Sequence, residues 1–202
     1  MAIVNPPAPL PLRNAKWRLR EPFQMNRSSW TGRRKGAALP GLAYWTLSAT
    51  FRTFVGESTA KAWRGWMMSL RGPANAFPVR ATERQQTSAS NPTVRAGANA
   101  GTSVPLQGLP ASTTVLGAGD FLTVTLPSGH RRLVCLTAPL ITNGSGQGTA
   151  SFAPELGEVP ASGAAVEMQW PYGLLCLTSE PPGWDVDVGQ TYSFMLEAEE
   201  AL

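Results

Sequence analysis

Only one histidine, His130, is available to serve as a catalytic base. A nucleophile triad would need it beside a hydroxyl or thiol, with Asp120, Asp185 or Asp187 holding the ring in place. His130 sits in Ser128-Gly129-His130-Arg131-Arg132, the sequence of a hairpin tip, where an imidazole is simply solvated. No Gly-x-Ser-x-Gly accompanies it, so hydrolysis has no support and the chain does not read as an enzyme. Gly144-x-Gly146-x-Gly148 resembles a phosphate loop only in outline. A dinucleotide loop needs a helix after it, whereas Thr149-Ala150-Ser151-Phe152 reads as a strand, so these glycines mark a hairpin turn. Paired carboxylates are available from Asp185 and Asp187, or from Glu197, Glu199 and Glu200. The first pair alternates along a strand and faces one side; the second set reads as a fraying acidic end. Both are better explained as solvated surface or a subunit contact.

One histidine and two cysteines, Cys135 and Cys176, cannot build an all-cysteine zinc site or one with two cysteines and two histidines. No metal and no cofactor is expected. Both cysteines lie in apolar stretches, which favours buried free thiols over a disulfide. The opening residues lack a basic and then apolar signal pattern, and no run of 18 apolar residues occurs, so the reading is a soluble protein made in a cytoplasm without membrane insertion. The glycosylation sequons Asn26-Arg27-Ser28 and Asn143-Gly144-Ser145 are then chance matches.

The segment from Arg13 to Lys35 holds eight basic residues, one acid and two tryptophans, Trp17 and Trp30. Cations that neutralise phosphate, interleaved with rings that stack on bases, are what a single-stranded nucleic-acid groove requires. No recognised nucleic-acid motif goes with them. A basic loop meeting another protein's acidic surface is the more economical account, and Arg33, Arg34, Lys35, Trp30, Arg18 and Arg20 are the candidate partner interface. The wider charge distribution can mark nucleic-acid binding, but it also suits this account. Residues 1–100 contain 15 basic and three acidic residues, a net +12, whereas residues 101–202 contain two and ten, a net −8. Such a division suits copies that dock with one's basic face on the next one's acidic face.

These residues must be positioned by a β-rich chain. Gly and Pro number 38 of 202 residues and charged residues only 15%, against about 25% in ordinary domains, which implies many turns and short strands. The proline-rich opening from Pro6 to Pro11 is an extended arm. Trp17 and Leu19 alternate with Arg18 and Arg20 as a half-buried strand, with Phe23 as a further position if the strand runs on. Asn26 to Gly41, with Arg33-Arg34-Lys35 between glycines, reads as an exposed loop that is mobile until it finds a partner. From Ala43 to Phe54 the period of two is long, with Trp45, Leu47, Ala49 and Phe51 on one face. The period then changes: Trp63, Trp66, Met67 and Leu70 predict a helix lying on a sheet, capped at Ser58 or Thr59 and stopped at Gly72-Pro73. A short strand follows at Phe77, Val79 and Ala81. Five of the seven tryptophans precede residue 70, more aromatic surface than a small domain needs, so part of it suits an interface.

Residues 85–113 hold little that could build a core and read as a crossing between units. Beyond them, strands at 121–126, 132–137, 149–152 and 164–168 are separated by turn sequences at about 10–15-residue spacing, the pattern of a small β-barrel or sandwich. Two more strands follow, at 173–178 and 190–198. The fold class is therefore mainly β with one α-helix. A β-sandwich unit, 1–84 plus 169–202, carries an inserted β-barrel, OB-like, at 102–168 after a linker at 85–101.

The order of these features resembles that of tail proteins of long-tailed bacteriophages. The resemblance is carried by Leu109-Pro110-Ala111-Ser112, Val115 to Phe121, Gly144 to Leu156 and Pro160 to Val166. Around these it is framed by Trp17-Arg18, the Trp45 strand, the Trp63–Leu70 helix ending in Arg71-Gly72, and Tyr192-Ser193-Phe194 before Glu197-Ala198. Within that group the chain is most similar to the distal tail protein of siphophage-like tails. The resemblance implies a structural virion protein, made in a bacterial host's cytoplasm and located at the tail tip. Its sandwich would close into a hexameric ring joining tail tube protein to baseplate hub protein, with DNA passing transiently through the lumen. The arm and the basic loop would be fixed only on docking. The peripheral unit is shorter than that of the larger relatives that bind carbohydrate, and no sugar-contacting residue is transferred. Another minor tail protein, or a nucleic-acid-binding module using the basic segment, are the alternatives.

Overall fold

The computed structural model describes residues 1–39 and 43–201; the end of the expected basic loop, up to Gly41, lies outside the described residues. Seventeen strands and one helix are formed among them. In chain order they are β1 (Leu12–Arg20), β2 (Phe23–Arg27), β3 (Arg34–Ala38), β4 (Tyr44–Phe51), β5 (Phe54–Val55), α1 (Glu57–Leu70) and β6 (Ala76–Arg80). There follow β7 (Thr93–Val94), β8 (Ser103–Gln107), β9 (Thr114–Leu116), β10 (Phe121–Thr125), β11 (Arg131–Leu136), β12 (Leu140–Ile141), β13 (Gly148–Ala153) and β14 (Val166–Glu167). The chain continues with β15 (Tyr172–Leu177), β16 (Trp184–Asp187) and β17 (Thr191–Glu200). The fold is mainly β with a single helix, and its named strands pair antiparallel in curled sheets.

The first sheet runs β1-β4-β17-β15-β6, with β16 and β5 flanking the start of β17. Its central strand, β17, therefore comes from the far side of the insert. Alternation along β4 sends Trp45, Leu47, Ala49 and Phe51 inward; Leu47, Ala49 and Phe51 join the core that α1 covers, whereas Trp45 packs against Trp17 and Phe121. The helix buries Ala60, Trp63, Trp66, Met67 and Leu70, the stripe its sequence spacing predicts. Aromatic rings hold this layer together: Trp63 stacks on Phe54 at 5.9 Å between centroids and meets Phe51 edge-on at 5.4 Å, and Trp66 meets Phe77 edge-on at 5.3 Å. Such edge and offset pairs each add about 0.5–1.5 kcal/mol to the burial of their area.

The expected cap is not used. The helix begins one residue before Ser58, at Glu57, after Gly56 with φ +85°, and no side chain caps it. Glu57 in the first turn complements the helix dipole instead. At the far end Arg71 takes the left-handed conformation, φ +56°, and a 3-10 turn at Gly72–Ala74 completes the stop.

The second sheet runs β14-β10-β11-β13-β8-β7 and closes on itself. Thr93 in β7 bridges Ala165, Val94 N–H donates to the Ala164 carbonyl at 2.9 Å, and Val166 N–H donates to the Pro92 carbonyl at 3.1 Å. The result is a small six-stranded barrel filled by Val94, Leu106, Leu122, Val124, Leu136, Phe152 and their neighbours. Closure removes the exposed edges that an open sheet of short strands would carry.

Three expectations need correction here. Residues 85–113 are not a bare crossing: β7 and β8 belong to the barrel, and Val94 and Leu106 are fully buried in its core. Short strands with few apolar residues escape a composition test because the barrel needs only one inward side chain from each pleat. The proline-rich arm is not left to a partner, since its flanks dock on this same chain. Ile3 bridges Ala76, Val4 N–H donates to the Ala76 carbonyl at 2.8 Å, and Val4 and Leu10 pack on the first core. The basic loop is not a loop: β2 and β3 pair in register from Phe23↔Ala38 to Arg27↔Arg34, and Ser28 N–H and Gly32 N–H bind the carbonyls of Arg33 and Ser28 to close the turn.

Candidate functional site

The β2–β3 hairpin is exposed from Phe23 to Ala37. Phe23 and Met25 are 67% and 57% exposed, and Trp30, in the turn, is 97% exposed. Directly opposed residues of an antiparallel pair share a face, so Phe23, Met25 and Arg27 of β2 lie on the same side as Gly36 and Arg34 of β3. That side grades from apolar to cationic towards the tip. Gln24, Asn26 and Lys35 occupy the other side, with Gln24 Nε2 donating to Asn26 Oδ1 at 3.2 Å. An isolated two-stranded hairpin is marginal in water.

Of the six residues singled out from the sequence, Trp30 and Arg33 lie in the hairpin turn and Arg34 and Lys35 in β3, all exposed. Arg18 and Arg20 face solvent on β1, opposite Thr46 and Tyr44 of β4. The hairpin thus unites four of the six, and the other two stand on the neighbouring sheet. None of the six enters an ion pair among the described residues.

Acidic surface is gathered elsewhere. β16 is exposed throughout, and its Asp185 and Asp187 lie opposite Ser193 and Thr191 of β17. Thr191 is in turn opposite Val55 of β5, so Asp185, Asp187, Val55 and, two residues further along, Met195 share one face. Val55 and Met195 are 74% and 60% exposed. The sequence flagged this aspartate pair as surface, but not the apolar side chains that accompany it.

His130 is where the sequence reading fails. It does not stand free at a hairpin tip: its Nε2 lies 3.3 Å from Glu200 Oε1, and the ring is almost buried. Nor is Glu200 part of a fraying end. It closes β17, and its carboxylate is fully enclosed. Arg132, also 0% exposed, donates from Nη1 to Glu200 Oε2 at 2.6 Å, from Nη2 to the Ala43 carbonyl at 2.5 Å and from Nε to the Glu155 carbonyl at 3.0 Å. Trp45 N–H adds a bond to Glu200 Oε2 at 3.1 Å, and Trp45 Nε1–H reaches the Leu133 carbonyl at 2.8 Å. This cluster clamps barrel strand β11 to β4 and β17 of the first sheet. Two signals in the sequence bear on it, an arginine leading the apolar run Leu133–Leu136 and a glutamate closing the alternation of β17, but neither carries the pairing.

The seam has two further clasps. Thr123 Oγ1 donates to the Tyr172 carbonyl at 2.6 Å and lies 2.7 Å from the Tyr172 N–H. Gln86 accepts from Phe121 N–H at 2.8 Å and donates to the carbonyls of Phe121 and Met168 at 2.9 and 3.0 Å, completing the ladder with a side-chain amide. Composition alone had assigned Gln86 to a linker.

The Asp120 carboxylate accepts from Gly117 N–H at 2.7 Å and does not orient His130. The glycine cluster is the β12–β13 turn, where Gly146 at φ +67° lies so close to the Leu109 carbonyl that a Cβ would collide with it. Among the described residues no group of three or more histidine, cysteine or acidic side chains converges as metal ligands. None of their helices is long and apolar enough to cross a membrane. Cys176 is buried and Cys135 half-buried, both as free thiols. Burial raises both thiol pKa values, reinforced by Asp120 at Cys135 and by Glu199 at Cys176.

No protein-family model matches this sequence, and no curated protein matches it.

Proposed function

We propose that this protein is a structural component of a bacteriophage tail tip, a distal tail protein whose copies close into a ring, with six subunits expected. The ring joins the tail tube to the baseplate hub and leaves a lumen through which DNA passes. The observation that carries this reading is the β2–β3 hairpin. It is hydrogen-bonded and in register, yet it exposes Phe23, Met25 and Trp30 and ends in a cluster of cations. A surface of this kind is built for another protein, because tryptophan and arginine dominate the energetics of interfaces and a lone hairpin gains stability by being covered. The order of sequence features supports the tail-tip assignment, and the opposite charges of the two halves support association of like copies. The function asks for no chemistry at a catalytic centre.

The test is made on particles. Phage carrying this protein, purified on a density gradient, contain it as a low-copy tail component, and class averages show it as a rotationally symmetric disc where tube meets tip. Its absence from tails, or its presence only in heads, overturns the assignment. Exposed Trp30 among Arg27, Arg33, Arg34 and Lys35 also matches the stacking and charge that single-stranded nucleic acid needs. That reading requires salt-dependent binding of a short oligonucleotide by the isolated protein, abolished in Arg33→Ala/Arg34→Ala/Lys35→Ala.

A further inference from the structure

We infer that the β2–β3 hairpin of one copy docks on the acidic face formed by β16, β17 and β5 of the next copy, and that this single heterologous contact, repeated, closes the ring. The inference rests on the ring reading above and names the two surfaces that meet. On the hairpin, one side offers Phe23 and Met25 and then Arg27 and Arg34, with Trp30 beyond them at the tip. On the receiving sheet, one face offers Val55 and Met195 beside Asp185 and Asp187, and Val188 at the β16–β17 turn is wholly exposed at 102%. Both surfaces therefore pair apolar side chains with charge, and the charges are opposite. Each combination would be costly to leave in water as a large patch and is complementary to the other.

The contact is not made within one copy. The ion pairs of the chain are Arg64–Glu57, His130–Glu200 and Arg132–Glu200 among the described residues, and none joins the hairpin to β16. Two different patches of one subunit that fit each other, but not in the same subunit, define a head-to-tail interface, which closes a ring or runs on as a filament. β16 also pairs with β17 alone, which leaves its other edge open, and its two aspartates guard that edge against indiscriminate strand addition. A cationic hairpin is the partner that such guards admit.

Charge exchange tests the contact. Arg27→Glu/Arg34→Glu gives a copy whose hairpin is acidic on its docking side, and Asp185→Lys/Asp187→Lys gives one whose receiving face is basic. All four positions are exposed, so both variants should keep the circular dichroism spectrum and melting temperature of the wild type. In sedimentation velocity, wild-type protein assembles. Each variant alone sediments as a monomer at concentrations at least 100-fold above those at which wild type assembles. An equimolar mixture of the two assembles again, because every unlike junction then has opposite charges on its two sides. Two results overturn the inference: a variant that assembles as wild type does, or a mixture of folded variants that stays monomeric. If wild type and variants alike form symmetric rings, the hairpin contact is wrong and the ring stands. If wild-type protein is solitary both in solution and in the tail, the contact and the ring reading fall together.

Discussion

Removing Arg132 strands a carboxylate in the interior. Glu200 is fully buried, and Arg132 is the cation against it, at 2.6 Å. Breaking a buried pair from one side costs about 3–5 kcal/mol, because the remaining charge has lost both its water and its partner. Arg132→Met should therefore lower stability by that amount. For a chain of this size, with about 2–4 °C of melting temperature per kcal/mol, the midpoint should fall by about 6–20 °C. Glu200→Leu should be at least as damaging, since it leaves the guanidinium uncompensated and also deprives Trp45 N–H of its acceptor. The double variant, Arg132→Met/Glu200→Leu, buries no unpaired charge. Its remaining cost is the unmet Trp45 amide, the His130 ring nitrogen that had faced Glu200, and the carbonyls of Ala43 and Glu155, about 1–3 kcal/mol for each buried group left without a partner. Urea unfolding followed by circular dichroism, with all four proteins in one buffer, measures the cycle. The double variant should lose at least about 2 kcal/mol less than the sum of the two single losses. Additive losses, or a single variant costing under about 1 kcal/mol, would refute the claim that these two side chains form one buried electrostatic unit.

Trp63→Ala removes the ring that stacks on Phe54 and meets Phe51, and should cost about 3–5 kcal/mol in the same unfolding assay, while Trp30→Ala should change stability by under about 0.5 kcal/mol. Both thiol pKa values are raised, so less thiolate exists at neutral pH than in a free cysteine. Iodoacetamide should accordingly label Cys135 and Cys176 more slowly than glutathione at pH 7.5, with rates climbing above pH 9; faster labelling of native protein would contradict the burial described. Gly146→Ala should destabilise the barrel, because the β12–β13 turn must move off the Leu109 carbonyl, and amide exchange of Leu109, whose N–H donates to the Gly146 carbonyl, should accelerate.

The elements that were legible in the sequence are those whose apolar period runs longest. β4 and α1 declare themselves because each presents four or more inward side chains in one rhythm, and strands β10, β11, β13, β15 and β17 because turn residues bracket each apolar run. What escaped was pairing. Nothing local tells Arg27 that Arg34 is its neighbour across a hairpin, or that Thr93, in a polar stretch, bridges Ala165 to shut a barrel. His130 and Glu200 were misjudged, and the burial of Arg132 went unseen, for the same reason. A charged side chain next to a turn or at the end of a strand is normally solvated, and only the packing of two units on each other encloses these three. The candidate residues Trp30 and Arg33 to Lys35 were visible as composition; that they ride on an ordered hairpin was not.

β17 lies between β4 and β15 at the centre of the first sheet, although it leaves the ribosome some 140 residues after β4 does. At translation speeds of about 5–20 residues per second, β4 waits roughly 7–28 s with its amides on that side unanswered. Through that interval the barrel can mature by itself, whereas the helix-bearing half is an incomplete platform whose missing plank is also its keystone. β16 and β5 wait with it, since β17 is the strand on which both of them pair.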